Sequence, residues 1–425
     1  MKLMTRVARQ ALALSVALVL FSGPAAGQRA DDTGVRPPTG RAFASTVVEP
    51  PGSLPQPQSP RTPRLPPLAE SEWTEEQRAA YQRNRGEGVS ENVLRTLIRV
   101  PALADRVIPF VKYLASESSI PARHRGILIL RTAWLTRSQS LWSTYASRSE
   151  AMGLTAAEVR RVAEGPASGW SGFEGTLMSL ADELFRNSSV TDRTWAALDG
   201  EYDLSNLVDA VATVNQTTYH AILFNALGIQ PDPNSTARLP LDEVEYVISV
   251  PERERPLAEP RVEPVEGTGL RVSRTFARHP RVSELGAGSP YVLSPELSRL
   301  TPHDRELLIL RTGWNARSVY EWAQHVGRVG RAREHGLEPL WIAQGKDAPG
   351  WSENERNLIQ AADEMFREST MSDETWNRLA QTYDTHQMMS VVATVGRYRM
   401  VSMTLNALGV QLETGDEVFP VLEGL

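Results

Sequence analysis

No cysteine occurs anywhere in the 425 residues, which removes disulfides, thiolate nucleophiles and cysteine metal ligands at once. Charge of one sign is not in large excess: 45 basic against 51 acidic side chains give −6, and no nucleic-acid footprint is expected from that balance. Long apolar runs are also missing. The best candidate, "ALALSVALVLF" at 11–21, falls short of the roughly 18 apolar residues that a bilayer helix needs, so no membrane partner is expected. Alternating strand patterns do not compete anywhere. The seven histidines are scattered without metal-ligand spacing, and no metal is expected.

What is present begins with a leader. Lys2, Arg6 and Arg9 precede the short apolar run, and "SGPAAG" at 22–27 follows it, the layout of a cleavable secretory signal. Residues 1–27 are therefore read as a signal peptide and the mature protein as periplasmic or secreted. Ten prolines between Pro37 and Pro67 make 28–69 a proline-rich, disordered linker, because such a segment buries too little apolar surface to offset chain entropy. Beyond it, 41% hydrophobic and 23% charged residues are the composition of a globular protein.

An internal repeat then organises the chain. "GWSGFEGTLMSLADELFRNSSVTDRTW" at 169–195 returns as "GWSENERNLIQAADEMFRESTMSDETW" at 350–376, an offset of 181. "RTLIRVP" at 95–101 matches "RTFARHP" at 274–280, and "ILILRTAW" at 127–134 matches "LLILRTGW" at 307–314. Two tandem domains are expected, 70–231 and 263–425, joined by a proline- and charge-rich linker at 232–262.

Within each copy the period is helical. Thr301, Pro302 and Asp304 read as a helix start, and a helix from about 317 to 335 should end at Gly336. Ser352 and Ser372 stand before acidic first turns as caps. "MMSVVATVGRYRMVSMTLNALG" is long and apolar enough to be a buried helix. The fold class is all-α, two similar helical bundles.

Duplication supplies an internal control. Residues kept in both copies are assigned to the fold: Arg131/Arg311, Trp134/Trp314, Arg137/Arg317, Ser138/Ser318 and Trp142/Trp322. Polar residues found in one copy, at positions that are small or apolar in the other, are candidates for chemistry. Glu306, Glu321 and His325 are such residues, facing Gly126, Leu141 and Tyr145. Positions 318, 321, 322, 325 and 329 share one helical face, and the mostly apolar first-copy face implies that it points inward. A Glu and a His there lose water and acquire shifted proton affinities, which acid/base chemistry exploits. A solvated ion pair is the plainer alternative. Ser318, Arg317 as an anion anchor or else one half of a structural ion pair, and Tyr398, which stands where the first copy has Thr217 and for which ordinary core is the plainer reading, complete the candidate set as substrate-binding groups.

The stretch "RELLILRTGWNARSVYEWAQHVGRVGRAREHGL" at 305–337, with the recurring "DE", "W" and "VGRY" elements, resembles the carboxymuconolactone decarboxylase family, whose helical fold is shared with AhpD. The resemblance spans nearly all of 70–425, once per copy, and implies two tandem AhpD-like domains. The AhpD-like branch carries a Glu, two Cys and a His. Laid on this chain, those positions hold Glu306, Ser318, Glu321 and His325, so both thiols of a peroxiredoxin-type activity are missing. Glu with a retained His looks like the decarboxylase branch, a lyase that needs no cofactor. The resemblance then implies acid/base chemistry on a small-molecule lactone or carboxylic acid, with His325, Glu321 and Glu306 as catalytic groups. It also implies a degenerate first copy and ring-shaped homo-oligomers, a trimer of two-domain chains imitating a hexamer. A non-catalytic binding or scaffold protein is the alternative from another class.

Overall fold

The computed structural model describes residues 62–420 apart from 171, 247, 249, 255 and 287–289. The signal-like segment 1–27 and residues 28–61 of the proline-rich stretch lie outside the described residues. Those described form helices and connecting turns with no strand, the all-α class that the periodicity predicts. No helix among them is long and apolar enough to cross a membrane.

Local chemistry sets the helix ends. Thr301 Oγ1 accepts from the Asp304 amide at 3.1 Å, with Pro302 at the first helical position. Ser352 and Glu355 form a reciprocal capping box, and Ser372 accepts from the Thr375 amide. Asp203 and Asp384 cap the two long helices Leu204–Leu227 and Thr385–Leu408, which end on Gly228 and Gly409 in the left-handed region. Each cap satisfies backbone groups that the helix itself leaves unpaired.

The order of helices repeats. Ala122–Leu135, Gln139–Ala146, Gly172–Asn187, Asp192–Asp199 and Leu204–Leu227 correspond to Pro302–Asn315, Val319–Ala323, Glu353–Glu368, Asp373–Leu379 and Thr385–Leu408. In each copy the first of these packs against the third and against the long helix. An Arg–Asp pair, buried in the first copy and half-buried in the second, ties that packing together. Arg131 forms two bonds to Asp182, at 2.6 and 3.0 Å, and also donates to the carbonyls of Val162 and Ala163. Arg311 repeats this with Asp363, Ile342 and Ala343. A bidentate guanidinium that also satisfies helix-end carbonyls is a structural unit, which accounts for its presence in both copies.

The two copies share one interior. Their long helices pack in opposite directions: Asn215 Nδ2 donates to Thr404 Oγ1 at 2.9 Å, while Gly396 lies against Tyr219 and Ile222. A Cβ at position 396 would come within 2.7 Å of the Tyr219 ring, so glycine is required for this approach. Most buried hydrophobic residues of both copies belong to one continuous cluster, beside a small one of Val208, Val262 and Leu408.

Two arginines staple the halves reciprocally. Arg64 donates to Ala226 O at the end of the first long helix, then to Met371 O and Asp373 of the second copy, and stacks on Trp376. Arg261 does the converse, reaching Val190 O and Asp192 of the first copy and stacking on Trp195. The expected linker 28–69 is thereby corrected at its end. Residues 62–69 are packed, because Leu65 and Leu68 are buried apolar anchors and Arg64 satisfies helix-end carbonyls. The stretch 232–262 also contributes to packing, with Leu239, Val244 and Val262 buried.

Candidate functional site

Three helical segments of the second copy bring the candidate catalytic residues together. Pro302–Asn315 carries Glu306, Val319–Ala323 carries Glu321, and the adjoining turn Gln324–Arg328 carries His325. Their exposures are 0%, 5% and 3%. His325 Nδ1 lies 2.6 Å from Glu306 Oε2, and its Nε2 lies 2.9 Å from Glu321 Oε1. Arg305 Nε donates to the other Glu306 oxygen at 2.9 Å and Nη1 donates to Leu293 O. The result is a buried chain of alternating charge, Arg305–Glu306–His325–Glu321. The solvated ion pair, the plainer reading of Glu321 and His325, is not what the fold builds.

Electrostatics follow from this geometry. Burial pushes the His325 imidazole down, but the Glu306 and Glu321 carboxylates outweigh it and raise the ring to about 10. At neutral pH it is an imidazolium donating to both carboxylates. Burial likewise pushes Glu306 up, and His325 with Arg305 outweighs that and holds it below its ordinary value. Tyr398 sets its ring edge-on to His325, centroids 5.1 Å apart. Burial and the two nearby carboxylates raise its phenol far above the usual value, so it stays a neutral O–H.

A backbone irregularity makes this arrangement possible. The expected continuous helix 317–335 is instead Val319–Ala323, a π-turn over Gln324–Arg328 and a short 3-10 turn Ala332–His335. The Val329 amide reaches back five residues to Gln324 O at 2.8 Å. Between Ser318 and Gly336 the second copy has three residues more than the first has between Ser138 and Gly153. The surplus is absorbed by widening one turn and breaking the helix, as π-bulges at functional sites do. Gly330 completes the device, since a Cβ there would stand 2.1 Å from Glu306 Oε2 and 2.4 Å from His325 O. Only glycine lets the chain pass so close.

Other candidates are placed differently. Ser318 is fully buried at the start of the Glu321 helix, and its Oγ has no hydrogen-bond partner among the described residues, as is also true of Ser138. Arg317, expected as an anion anchor, is exposed in a left-handed turn, φ 50°, where its carbonyl accepts from Arg253. That role is corrected: the structure does not bring Arg317 to the buried cluster. Its counterpart Arg137, in the same left-handed conformation, lies over the Trp134 and Tyr246 rings. The shared Arg therefore marks a turn, while its side chain takes two courses.

The first copy builds another interior at the same place. Leu141 and Tyr145 are buried where Glu321 and His325 stand. They border a cavity of about 20 Å³ with Val93, His220 and Phe224. A Cβ at Gly126 would meet Leu154 at 3.0 Å, so a carboxylate there, in the place of Glu306, would lie against a hydrophobic side chain. Burial lowers His220 to about 3, which keeps it neutral. Among the described residues no group of three or more His, Asp or Glu is arranged to hold a metal ion.

Arg305 and Gly330 were not singled out from sequence. The three-residue surplus before Gly336 was the available signal for Gly330; Arg305 has a counterpart in Arg125, and nothing local marked it. Comparison with family models, with curated proteins and with solved structures finds no match to this chain.

Proposed function

We propose that the chain is an exported protein of the carboxymuconolactone decarboxylase type, with two AhpD-like domains, of which the second performs cofactor-independent acid/base chemistry on a small lactone or carboxylic acid. The observation that carries this reading is the buried Arg305–Glu306–His325–Glu321 chain, whose two carboxylates and imidazole give way to Gly126, Leu141 and Tyr145 in the other copy, where only the arginine has a counterpart, Arg125. An imidazolium between two carboxylates is a proton store whose neighbours hold it in place.

In the proposed reaction the bond from the substrate carboxyl to its ring carbon breaks. CO2 leaves, and the electron pair passes into the conjugated carbonyl. The proton then returned to carbon comes from His325. The step consumes one proton and leaves the imidazole neutral. The His325 side chain is 4% exposed, Glu321 is 7% exposed and Glu306 is 1% exposed, so Glu321 is the member placed to pass a replacement proton in from solvent. Glu306, fixed by Arg305, retains the counter-charge. Tyr398 offers a neutral O–H beside the ring.

The test is a screen of the purified protein against lactones, carboxylated lactones and peroxides, with His325→Ala as control. Turnover of a lactone acid that falls roughly 10²- to 10⁴-fold in the variant is the expected result. Unchanged turnover, or activity on peroxides alone, overturns the reading. Because both imidazole nitrogens are already bonded, a binding scaffold whose polar network is only structural is the second reading. Substrate binding with no turnover in either protein selects it. The ring assembly implied by the resemblance is checked by light scattering, where a stable monomer would count against a trimer.

A further inference from the structure

A guanidinium does not lose its charge in a protein, and removing it from water is costly unless other groups replace the lost hydrogen bonds. Five arginines are buried among the described residues: Arg131, Arg137, Arg305, Arg397 and Arg399. Arg131 is bonded to Asp182, and Arg305 to Glu306. Arg399 donates to Phe185 O and Met365 O and lies over the Phe185 and Phe366 rings, while Arg137 is stacked on Trp134 and Tyr246. Arg397, 8% exposed, makes no hydrogen bond or ion pair to a described residue, and its nitrogens are not among the fully buried unpartnered atoms, so the fork keeps a path to solvent.

Its position is informative. Arg397 lies on the long helix between Gly396, against which the first copy's Tyr219 packs, and Tyr398, whose ring rests on His325. Burial lowers its proton affinity, and Tyr219, Tyr398 and Glu321 are the neighbours whose charge it feels. Glu321 is thus near, yet not within ion-pair distance, and the donor fork is left open. The first copy has the uncharged Gln216 at the equivalent position, its amide against Met400 Sδ at 3.7 Å. At this position the cation therefore belongs to the copy that carries the carboxylate–imidazole chain. With His325 protonated, Arg305, His325 and Arg397 stand against Glu306 and Glu321, which leaves one positive charge for a ligand to neutralise.

We propose that Arg397 is the anchor for a small monocarboxylate, the role the sequence suggested for Arg317, and that Tyr219 of the first copy closes one side of its site. A planar fork of N–H donors matches a carboxylate in two parallel bonds, and such a ligand would lie beside Glu321 and Tyr398. This rests on the acid/base reading for what happens to the ligand, but the anchor is tested by binding alone. The degenerate copy then has a further role: its helix Leu204–Leu227 supplies a wall of the site, so the second copy cut out alone would bind incompletely.

Fluorine NMR of trifluoroacetate with the full chain is the test, with trifluoroacetamide as the neutral control. Saturable broadening of the acid and not the amide is expected. Arg397→Gln, which installs the first-copy residue, should weaken it roughly 10- to 100-fold, the loss for a charge-assisted hydrogen-bonded pair. Equal binding by wild type and Arg397→Gln, or no binding by wild type, overturns the anchor. If Arg397→Gln does not fold, the Arg397 Nε–H resonance of the wild-type protein decides: it shifts on adding trifluoroacetate, or the proposal fails. Tyr219→Met, the residue at its counterpart Met400, should weaken binding severalfold, and unchanged affinity removes Tyr219 from the site. Arg397-dependent binding without turnover of any screened substrate would leave the anchor standing and sink the catalytic reading.

Discussion

Where the second copy holds Glu306, Glu321 and His325, the first holds Gly126, Leu141 and Tyr145, and the helices around them correspond one by one. The scaffolding residues are common to both: the Arg–Asp pair, the tryptophans, the capped helix starts and the glycine-ended long helices. Interiors differ instead. One is a chain of alternating charges; the other is apolar, with a neutral His220 at its edge. The difference teaches that a buried charged network can be added to a helical frame that folds without one, when each charge of the chain from Arg305 to Glu321 arrives with a partner.

Leu141→Glu should break the comparison most severely. It puts a carboxylate into the first-copy interior with neither His325 nor Arg305 to meet it. A loss of about 3–5 kcal/mol is expected, the cost of an uncompensated buried charge, read from denaturant midpoints at constant slope. A loss under about 1 kcal/mol would show that the first interior is wet and that the two sites are less different than their residues.

The two buried histidines should oppose each other in pH dependence. His325 is raised in the fold from 6.5 to about 10. Its contribution is therefore complete below 6.5 and lost as pH rises through about 10. His220 is lowered from 6.5 to about 3, so its contribution is complete above 6.5 and lost as pH falls toward 3. Stability measured against pH should lose its alkaline slope in His325→Gln and part of its acid slope in His220→Leu. Slopes unchanged in both variants would contradict the assigned protonation states. Turnover that depends on the imidazolium should share the alkaline limit.

A smaller effect tests what the copies have in common. Arg64→Met and Arg261→Met each remove one staple and should cost similar amounts, about 1.5–3 kcal/mol, for hydrogen bonds from a charged group. Strongly unequal losses would mean that the reciprocal contacts are alike in geometry and not in energy.

Much of this was legible in the chain itself because it depends on residues close together in sequence. Thr301, Ser352 and Ser372 cap helices through atoms three residues away, and Gly409 ends a helix through its own backbone freedom. The triad was legible for another reason. The duplication exposes Glu306, Glu321 and His325 as polar groups at small or apolar positions, and the same comparison carried to Gln216 would have exposed Arg397. Arg317 was misjudged because a side chain leaving a left-handed turn can go either way, as Arg137 demonstrates.

The sequence by itself therefore determined the helical class, the repeat and the identity of the charges, all of which follow from spacing and from local hydrogen bonds. Tertiary structure alone decided which charges meet. Glu306 comes within 2.6 Å of His325 because a π-turn and Gly330 let two helices approach, and Arg397 is left open because the opposing helix offers Tyr219 instead of a carboxylate. Partnership across 19 or more residues depends on how helices pack, and only packing determines whether a buried charge is satisfied or waiting for a ligand.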